Sequence, residues 1–493
     1  MEIVWDEKTL PAYRDLMRSV KSTQMTMESV VPDTKDDIGR ILSVRPEIFL
    51  KNKEWRGRGV SVDAEVQLCV LYVNEAENAV QSFRAAQGLS FDYEINAQPE
   101  EDCRLQASFG EVRVQTRVLN PRKACFDLEL SCELILSART QIVTQQEAPA
   151  GLTIPLHLLV EEHEAELLTS VCEKSLSLSE QLAFPEGAPV PAAVILTEKR
   201  WQIREKTVLG SRLLVKGELC LTAYYEPEAA GIPQSAAFQV PFSLLVELED
   251  EESAASALRI EAISEHTELV DSIEGKKLLD FELRVLVQVR ATRRTVFRFV
   301  ADAYSNAMPG ECRREEYALP NAPEERLVLE GEALAELPDG SEEPLLVFAS
   351  LGPCEDGQGS CTVELLTRGA EGRLGVARRS VSLHAPSERR HTEKALCRLV
   401  GLSAEKEGAG LTLRAAAEGL APCEAKRIVS RVSGVILDED AAFDRSAFPA
   451  LTAVWAETET LWELAKLYHS DVESIRALNA EGAPGPVMIP KTP

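Results

Sequence analysis

Long apolar runs are missing from this chain: no segment approaches the roughly 18 residues that a membrane-crossing helix needs, so no membrane span is expected. Positive charge is also short. Against 80 Asp and Glu stand 53 Lys and Arg, a formal charge of −27. Such a field repels phosphate backbones and anionic headgroups, which argues against nucleic acid and against a polybasic membrane contact. The first residues, MEIVWDEKTLPAYRDLM, carry Glu2, Asp6 and Glu7 and no apolar stretch of signal-peptide length, so the expected location is cytoplasmic.

Patterns that carry chemistry are equally scarce. The six histidines, at 157, 163, 266, 384, 391 and 469, show no ligand-like spacing. There is no GxSxG elbow, no phosphate-binding GxxxxGK[ST] loop and no GxGxxG; His163-Glu164 lacks the second histidine of a zinc-protease helix, and Ser403 to Lys406 matches SxxK without its companion motifs. The eleven cysteines are odd in number and scattered, several inside apolar runs such as VQLCVLY and GELCLTAYY, as reduced core thiols of a cytosolic protein would be. The nearer pairs, Cys125/Cys132 and Cys354/Cys361, lack zinc-knuckle spacing. No catalytic residue, no metal site and no cofactor is expected.

What the chain does have is apolar surface and repetition. With 45% hydrophobic and 27% charged residues it can fold, and 493 residues are too many for one ordinary core. Residues 21–75 slide onto 174–228 without a gap at an offset of 153, matching Lys21/Lys174, Pro32/Pro185, Gly57/Gly210, Val62/Val215, Leu68/Leu221 and Tyr72/Tyr225 among others. Apolar residues alternate in period two between the matches, the signature of half-buried strands. Each copy continues into a second strand pair (104–136 and 259–289), with turns at Asn120-Pro121 and Glu274-Gly275. A fainter third copy runs from about 312 to 440, where Leu319-Pro320 echoes Phe184-Pro185. Paired layers of such strands predict tandem β-sandwich-like repeats, a mainly β fold. Helix is expected at the joints: a short leader over Pro11 to Val20, and a linker over 157–171, where Leu159, Glu162, His163 and Leu167 follow a helical period. The acidic run Glu247, Glu249, Asp250, Glu251 and Glu252 reads as a solvated loop.

The last segment, 454–490, has a different pattern. Thr460 with Glu463 and Ser470 with Glu473 are capping-box signatures for two short helices, and Asn479 is placed to end the second in the left-handed conformation. A strand before them (Ala453 to Ala456) and one after (Val487 to Ile489) predict β-α-α-β. Trp455 and Trp462 are the candidates for stacking on a sugar or packing on a protein.

Thr460-Leu461-Trp462, Leu478-Asn479 and Ile489-Pro490 make this segment resemble a LysM module. The resemblance implies a shallow groove for a partner or for N-acetylglucosamine polymers such as peptidoglycan glycan, formed by Thr458, Glu459, Thr460, Leu461, Ala477, Leu478 and Asn479; with Trp462 these are the candidate partner- or glycan-binding residues. Thr458-Glu459 stands where that family usually has glycine-aspartate.

The duplicated unit carrying VVPDTKDDIGRILSV (30–44), the GxGVSVDAEVQLCVLYV strand region and DAYSN (302–306) resembles the SPOCS family of spore-forming clostridia and related Firmicutes. This implies an N-terminal leader (1–20), SPOCS repeat 1 (21–150), a linker (151–173), SPOCS repeat 2 (174–306), a divergent third repeat (307–445) and a LysM module (451–493). It also implies a non-enzymatic scaffold of spore-coat and cortex assembly, working in the mother-cell cytosol at the forespore surface. The implied partner is the coat morphogenetic ATPase or another coat protein; the alternative is a reader of peptidoglycan glycan. A peptidoglycan hydrolase would need a cysteine-histidine or paired-carboxylate arrangement that the repeats do not offer.

Overall fold

Period-two alternation over so much of the chain leaves strand as the element that buries the apolar residues on one side, and the computed structural model is mainly β. It describes residues 1–56, 58–76, 79–95, 102–229, 232–320, 324–336, 344–368, 374–385, 395–407, 410–422, 427–456, 458–479 and 486–492. After a short opening strand, β1 (Glu2–Val4), one unit is built in the same order three times.

The first unit opens with a long strand, β2 (Asp6–Val30), continues through β3 (Ile38–Arg56), β4 (Gly59–Asn74) and β5 (Val80–Glu94), and adds β6 (Cys103–Phe109) and β7 (Arg113–Asn120). It closes with β8 (Lys123–Glu147), which runs antiparallel to β2 from Asp6/Glu147 to Val30/Lys123. In the second unit the long pair is β9 (Leu156–Ala183) and β14 (Lys277–Ser305), around β10 (Pro191–Val208), β11 (Arg212–Pro227), β12 (Gln234–Glu247) and β13 (Ala255–Asp271). The third unit splits both long strands. β15 (Gly310–Leu319) and β16 (Glu324–Glu336) precede β17 (Leu346–Leu351), β18 (Gln358–Arg368), β19 (Leu374–His384) and β20 (Cys397–Glu407); β21 (Gly410–Pro422) and β22 (Arg427–Leu437) close it.

Within each unit the three-stranded meander packs on one end of the long pair, giving three separate cores. Repeat-matched positions fall at matched depths: Val62 and Val215, Leu68 and Leu221, and Tyr72 and Tyr225 are all buried. Each such side chain contributes roughly 1.5–3 kcal/mol relative to an exposed one. Gly210 turns β10 into β11 at φ +60°, which favours glycine; its repeat match, Gly57, lies outside the described residues. The turns at 120–122 and 274–275 are present, the second with Gly275 at φ +74°.

The other ends of the long strands leave their own units and pack together as a shared stalk. Phe297, Phe299 and Leu319 form one part of its core, and Ile3, Trp5, Val300, Ala303, Val432, Val435 and Leu437 another. β1 joins the stalk by pairing with β22, and the Trp5 indole donates to the Val432 carbonyl at 2.7 Å. At the far side the three meanders meet through residues such as Leu71, Ile195, Tyr224 and Phe348. Between these zones lies a cavity of about 1040 Å³ lined by all three units.

Two expected helices are strands. Pro11 to Val20 lies within β2, and 157–171 lies within β9, paired residue by residue with β14. β2 lies at a sheet edge, the position in a sheet where proline is tolerated. In β9, residues 167–171 are buried consecutively, on both faces, which removes the alternation that marks a strand. Neither stretch is a leader or linker; each is part of its unit's opening strand. No helix among the described residues is long and apolar enough to cross a membrane.

All three long pairs are interrupted at the junction of sandwich and stalk. Register shifts between Asp15 and Met17, a second opposite Ala291 and Thr292, and the break after Leu319 re-aim side chains there. What they aim is charge. Arg290, 1% exposed, donates to both Asp15 oxygens at 2.8 and 2.7 Å and to Ser137 at 3.1 Å. Glu324, with no exposed side-chain surface, faces Arg18 at 3.1 Å, pairs with Arg259 and lies 4.0 Å from Arg290; Glu133 bridges Arg18 and Arg259 at 2.6 and 3.2 Å. Burial opposes ionisation of Glu324, yet Arg259, Arg290 and Arg18 hold its carboxyl below the ordinary carboxylate range.

Replacing Glu324 by Gln leaves three guanidinium groups short of a carboxylate and should cost about 3–5 kcal/mol, read as a lower urea midpoint with unchanged slope. Because the folded Glu324 value is depressed, its contribution is present above about pH 4.5 and is lost as pH falls through the folded value. The wild type should therefore lose more stability on acidification than Glu324→Gln does.

Candidate interaction site in the C-terminal unit

The chain ends in a small unit of β23 (Leu451–Val454), α1 (Leu461–Leu467), α2 (Val472–Leu478) and β24 (Val487–Pro490), with β23 and β24 antiparallel. α1 starts where Thr460 and Glu463 cap each other: Thr460 N–H donates to Glu463 at 2.7 Å, and Glu463 N–H donates to the Thr460 hydroxyl at 3.3 Å. The second cap is one residue later than expected. Asp471, not Ser470, accepts from Ser474 N–H at 2.8 Å. Ser470 is fully buried and its hydroxyl donates to the Pro490 carbonyl at 2.6 Å, tying the helices to β24. Burial opposes the Asp471 charge, but the Ser474 hydrogen bonds hold its carboxyl below the ordinary value.

The eight candidate residues divide by environment. Thr458, Glu459 and Thr460, in the loop before α1, are exposed, as are Ala477 and Leu478 at the end of α2. Leu461 is half-buried against the small core of Leu464, Ala465, Ile475 and Ile489. Asn479 is not left-handed, with φ −115° and ψ 120°. Its amide instead donates to the Ile475 and Met488 carbonyls at 2.7 Å each, and its oxygen accepts from Met488 N–H at 2.8 Å. That is a staple between α2 and β24 rather than a groove wall.

Trp462 faces the rest of the protein. Its ring stands edge-on to Tyr304, centroids 4.9 Å apart, and its indole N–H donates to Asp302 at 2.9 Å. Lys466, one turn on, reaches both Asp302 oxygens at 2.8 and 2.7 Å. Burial would raise the Asp302 carboxyl, but Lys466 and Trp462 hold it below its ordinary value. Tyr304 donates to the Ser470 carbonyl at 2.8 Å, and Asn306 donates to the Thr492 hydroxyl at 3.2 Å. Three residues of the DAYSN stretch therefore hold the C-terminal unit against the end of β14. Sequence reasoning singled out that stretch without a role, because the partner segment lies more than 150 residues away. Trp455, in contrast, is 76% exposed.

A second polar centre, the walls of the 1040 Å³ cavity, was missed. Lys199 is held between Glu47, at 2.5 Å, and Glu265; burial opposes its charge, but the two carboxylates raise it above the ordinary lysine value. Arg45 pairs with Glu198 at 3.0 Å, and these residues are 153 apart, the same position in successive repeats. Opposite charges at one repeat position were the available signal. The acidic run is not simply solvated: Glu249 accepts from Tyr13 at 2.7 Å, and Asp250 and Glu252 face Arg293 at 3.6 and 2.7 Å.

Among the described residues no group of three or more His, Cys, Asp or Glu is placed to hold a metal. The ten described cysteines are free, and burial pushes the Cys69 and Cys132 thiols up to about 12, far from reactive thiolates. Cys423 and His391 lie outside the described residues. No family model, curated protein or solved structure matches the chain.

Asn479→Ala should destabilise the C-terminal unit by about 2 kcal/mol, because it strands three partly buried backbone groups, whereas Thr458→Ala should stay within about 0.5 kcal/mol. Limited proteolysis of the segment 451–492 in the full chain reads the difference.

Proposed function

We propose that the protein is a non-enzymatic scaffold of spore-envelope assembly, docking to a coat morphogenetic ATPase or another coat protein through its C-terminal unit. The observation that carries this reading is the exposed set Trp455, Thr458, Glu459, Thr460, Ala477 and Leu478 on a small unit seated on a large body of repeated β units. An exposed indole and leucine at one end of such a unit suit an aromatic anchor for a protein partner. The resemblance of the repeats to SPOCS units and of the C-terminal segment to LysM modules supplies the biological setting, the mother-cell cytosol at the forespore surface. Several faces held on one chain would raise the effective concentration of each toward a polymerising coat, so weak contacts would add to firm attachment.

The test is localisation of a fluorescent fusion during sporulation. Removing 451–493, or changing Trp455 and Leu478 together to Ala and Glu, should abolish the forespore signal while circular dichroism shows the β units still folded. Undiminished recruitment of both variants would sink the proposal. The exposed Trp455 also fits stacking on a sugar ring, so a glycan reader is the second reading. It requires saturable binding to N-acetylglucosamine oligomers that weakens in Trp455→Ala, with sedimentation on insoluble peptidoglycan; no binding at millimolar oligomer removes it.

A further inference from the structure

The face of the C-terminal unit that carries Trp462 and Lys466 is already occupied by the chain itself. Asp302 accepts from both, Tyr304 meets the Trp462 ring edge-on and reaches the Ser470 carbonyl, and Asn306 reaches Thr492. Arg445, in the connection between β22 and β23, closes the seam. It donates to the Asn306 carbonyl at 2.8 Å, to the His469 carbonyl at 2.9 Å and to the Thr492 carbonyl. Tyr304 alone reaches into the small apolar core of Leu464, Ala465, Ile475 and Ile489; the other contacts are polar and few side chains make them, so this seam holds less apolar contact than the cores of the three large units.

Two imidazoles sit in it. His157, on β9, stacks on Tyr304 with centroids 4.9 Å apart, and its Nε2 is buried without a hydrogen-bond partner among the described residues. His469, at φ +53° between the helices, packs on Phe443 and Phe448 with centroids 4.0 and 5.4 Å away. We propose that the strand end Asp302–Asn306 is an internal latch that holds the C-terminal unit closed over Trp462, and that mild acid opens it by protonating His157 and His469.

The charged and titratable groups around both rings set the sign. His157 faces the Tyr304 phenol, on β14, and the Asp471 carboxylate at the start of α2. Burial lowers the imidazole and Asp471 raises it, with burial the larger effect. His469 faces the Arg445 guanidinium; burial lowers it first and Arg445 lowers it further. A proton on His469 therefore repels the arginine that closes the seam. On the far side Asp302 is ringed by Lys466, Trp462 and Arg314 and stays ionised. Both histidines bind protons more readily when the unit is undocked. Docking is thus strongest above the ordinary histidine value of about 6.5 and weakens below it, by up to about tenfold per pH unit for each ring. The latch does not depend on which partner the unit binds.

Hydroxyl-radical footprinting of the full chain at pH 7.5 and 5.5 tests this, with buried Trp5 and exposed Trp455 as internal references. Oxidation of Trp462 and Tyr304 should rise several-fold at pH 5.5 while both references stay constant. At pH 7.5 the same rise should follow from Asp302→Asn or Lys466→Met, each of which removes seam contacts without touching the core of the unit. The double variant His157→Phe, His469→Phe keeps aromatic packing without a titrating proton and should remain closed at both pH values. Protection of Trp462 at pH 5.5, opening of the double variant with unchanged pH dependence, continued protection in both seam variants, or exposure of Trp5 alongside Trp462 would each overturn the proposal.

Discussion

The Glu324 side chain has no exposed surface, and the three guanidinium groups around it come from the other two units of the chain. An isolated carboxylate in that position would be severely destabilising, so the third unit is accommodated only where Arg18, Arg259 and Arg290 are also present. The reverse holds for the arginines, whose other carboxylate partners among the described residues are Glu133 and Asp15. Charge neutrality at one buried point thus makes closure of the three units mutual. Apolar packing between meanders and within the stalk supplies adhesion, but adhesion alone would tolerate other arrangements. The interruptions in all three long strand pairs are what bring these side chains to a common height.

The seat of the C-terminal unit follows from the same long strands. β14 extends beyond its own sandwich, and its last residues, Asp302 to Ser305, emerge at the end of the stalk with Asn306 just after them. There a carboxylate, a phenol and an amide present polar atoms to a unit too small to bury much apolar surface of its own. Trp462, a candidate for stacking on a sugar or packing on a protein, serves this internal contact, while Trp455 and the ends of the two helices remain open to solvent.

Much of the unit architecture was legible because it rests on local signals repeated in order. Val62/Val215, Leu68/Leu221 and Tyr72/Tyr225 were paired in sequence and are paired in depth; Thr460 and Glu463 announced the start of α1. The misread segments share a physical cause. Residues 157–171 and Pro11 to Val20 belong to strands that leave their own sandwich, one of them becoming buried on both faces, so neither shows the period of a strand with one wet side. Ser470 and Asn479 were misassigned because a side chain suited to a cap was recruited by β24 instead.

The residues by themselves determined the β class, the repeat, the C-terminal change to helix and the acidic balance, because alternation, capping and charge are written within a few positions of one another. Tertiary structure decided how the three units close around buried charge, which candidate residues stay exposed and where the C-terminal unit sits. Those outcomes depend on pairs such as Arg290 with Asp15 and Trp462 with Asp302, more than 150 residues apart, whose opposition exists only once the long strands have placed them face to face.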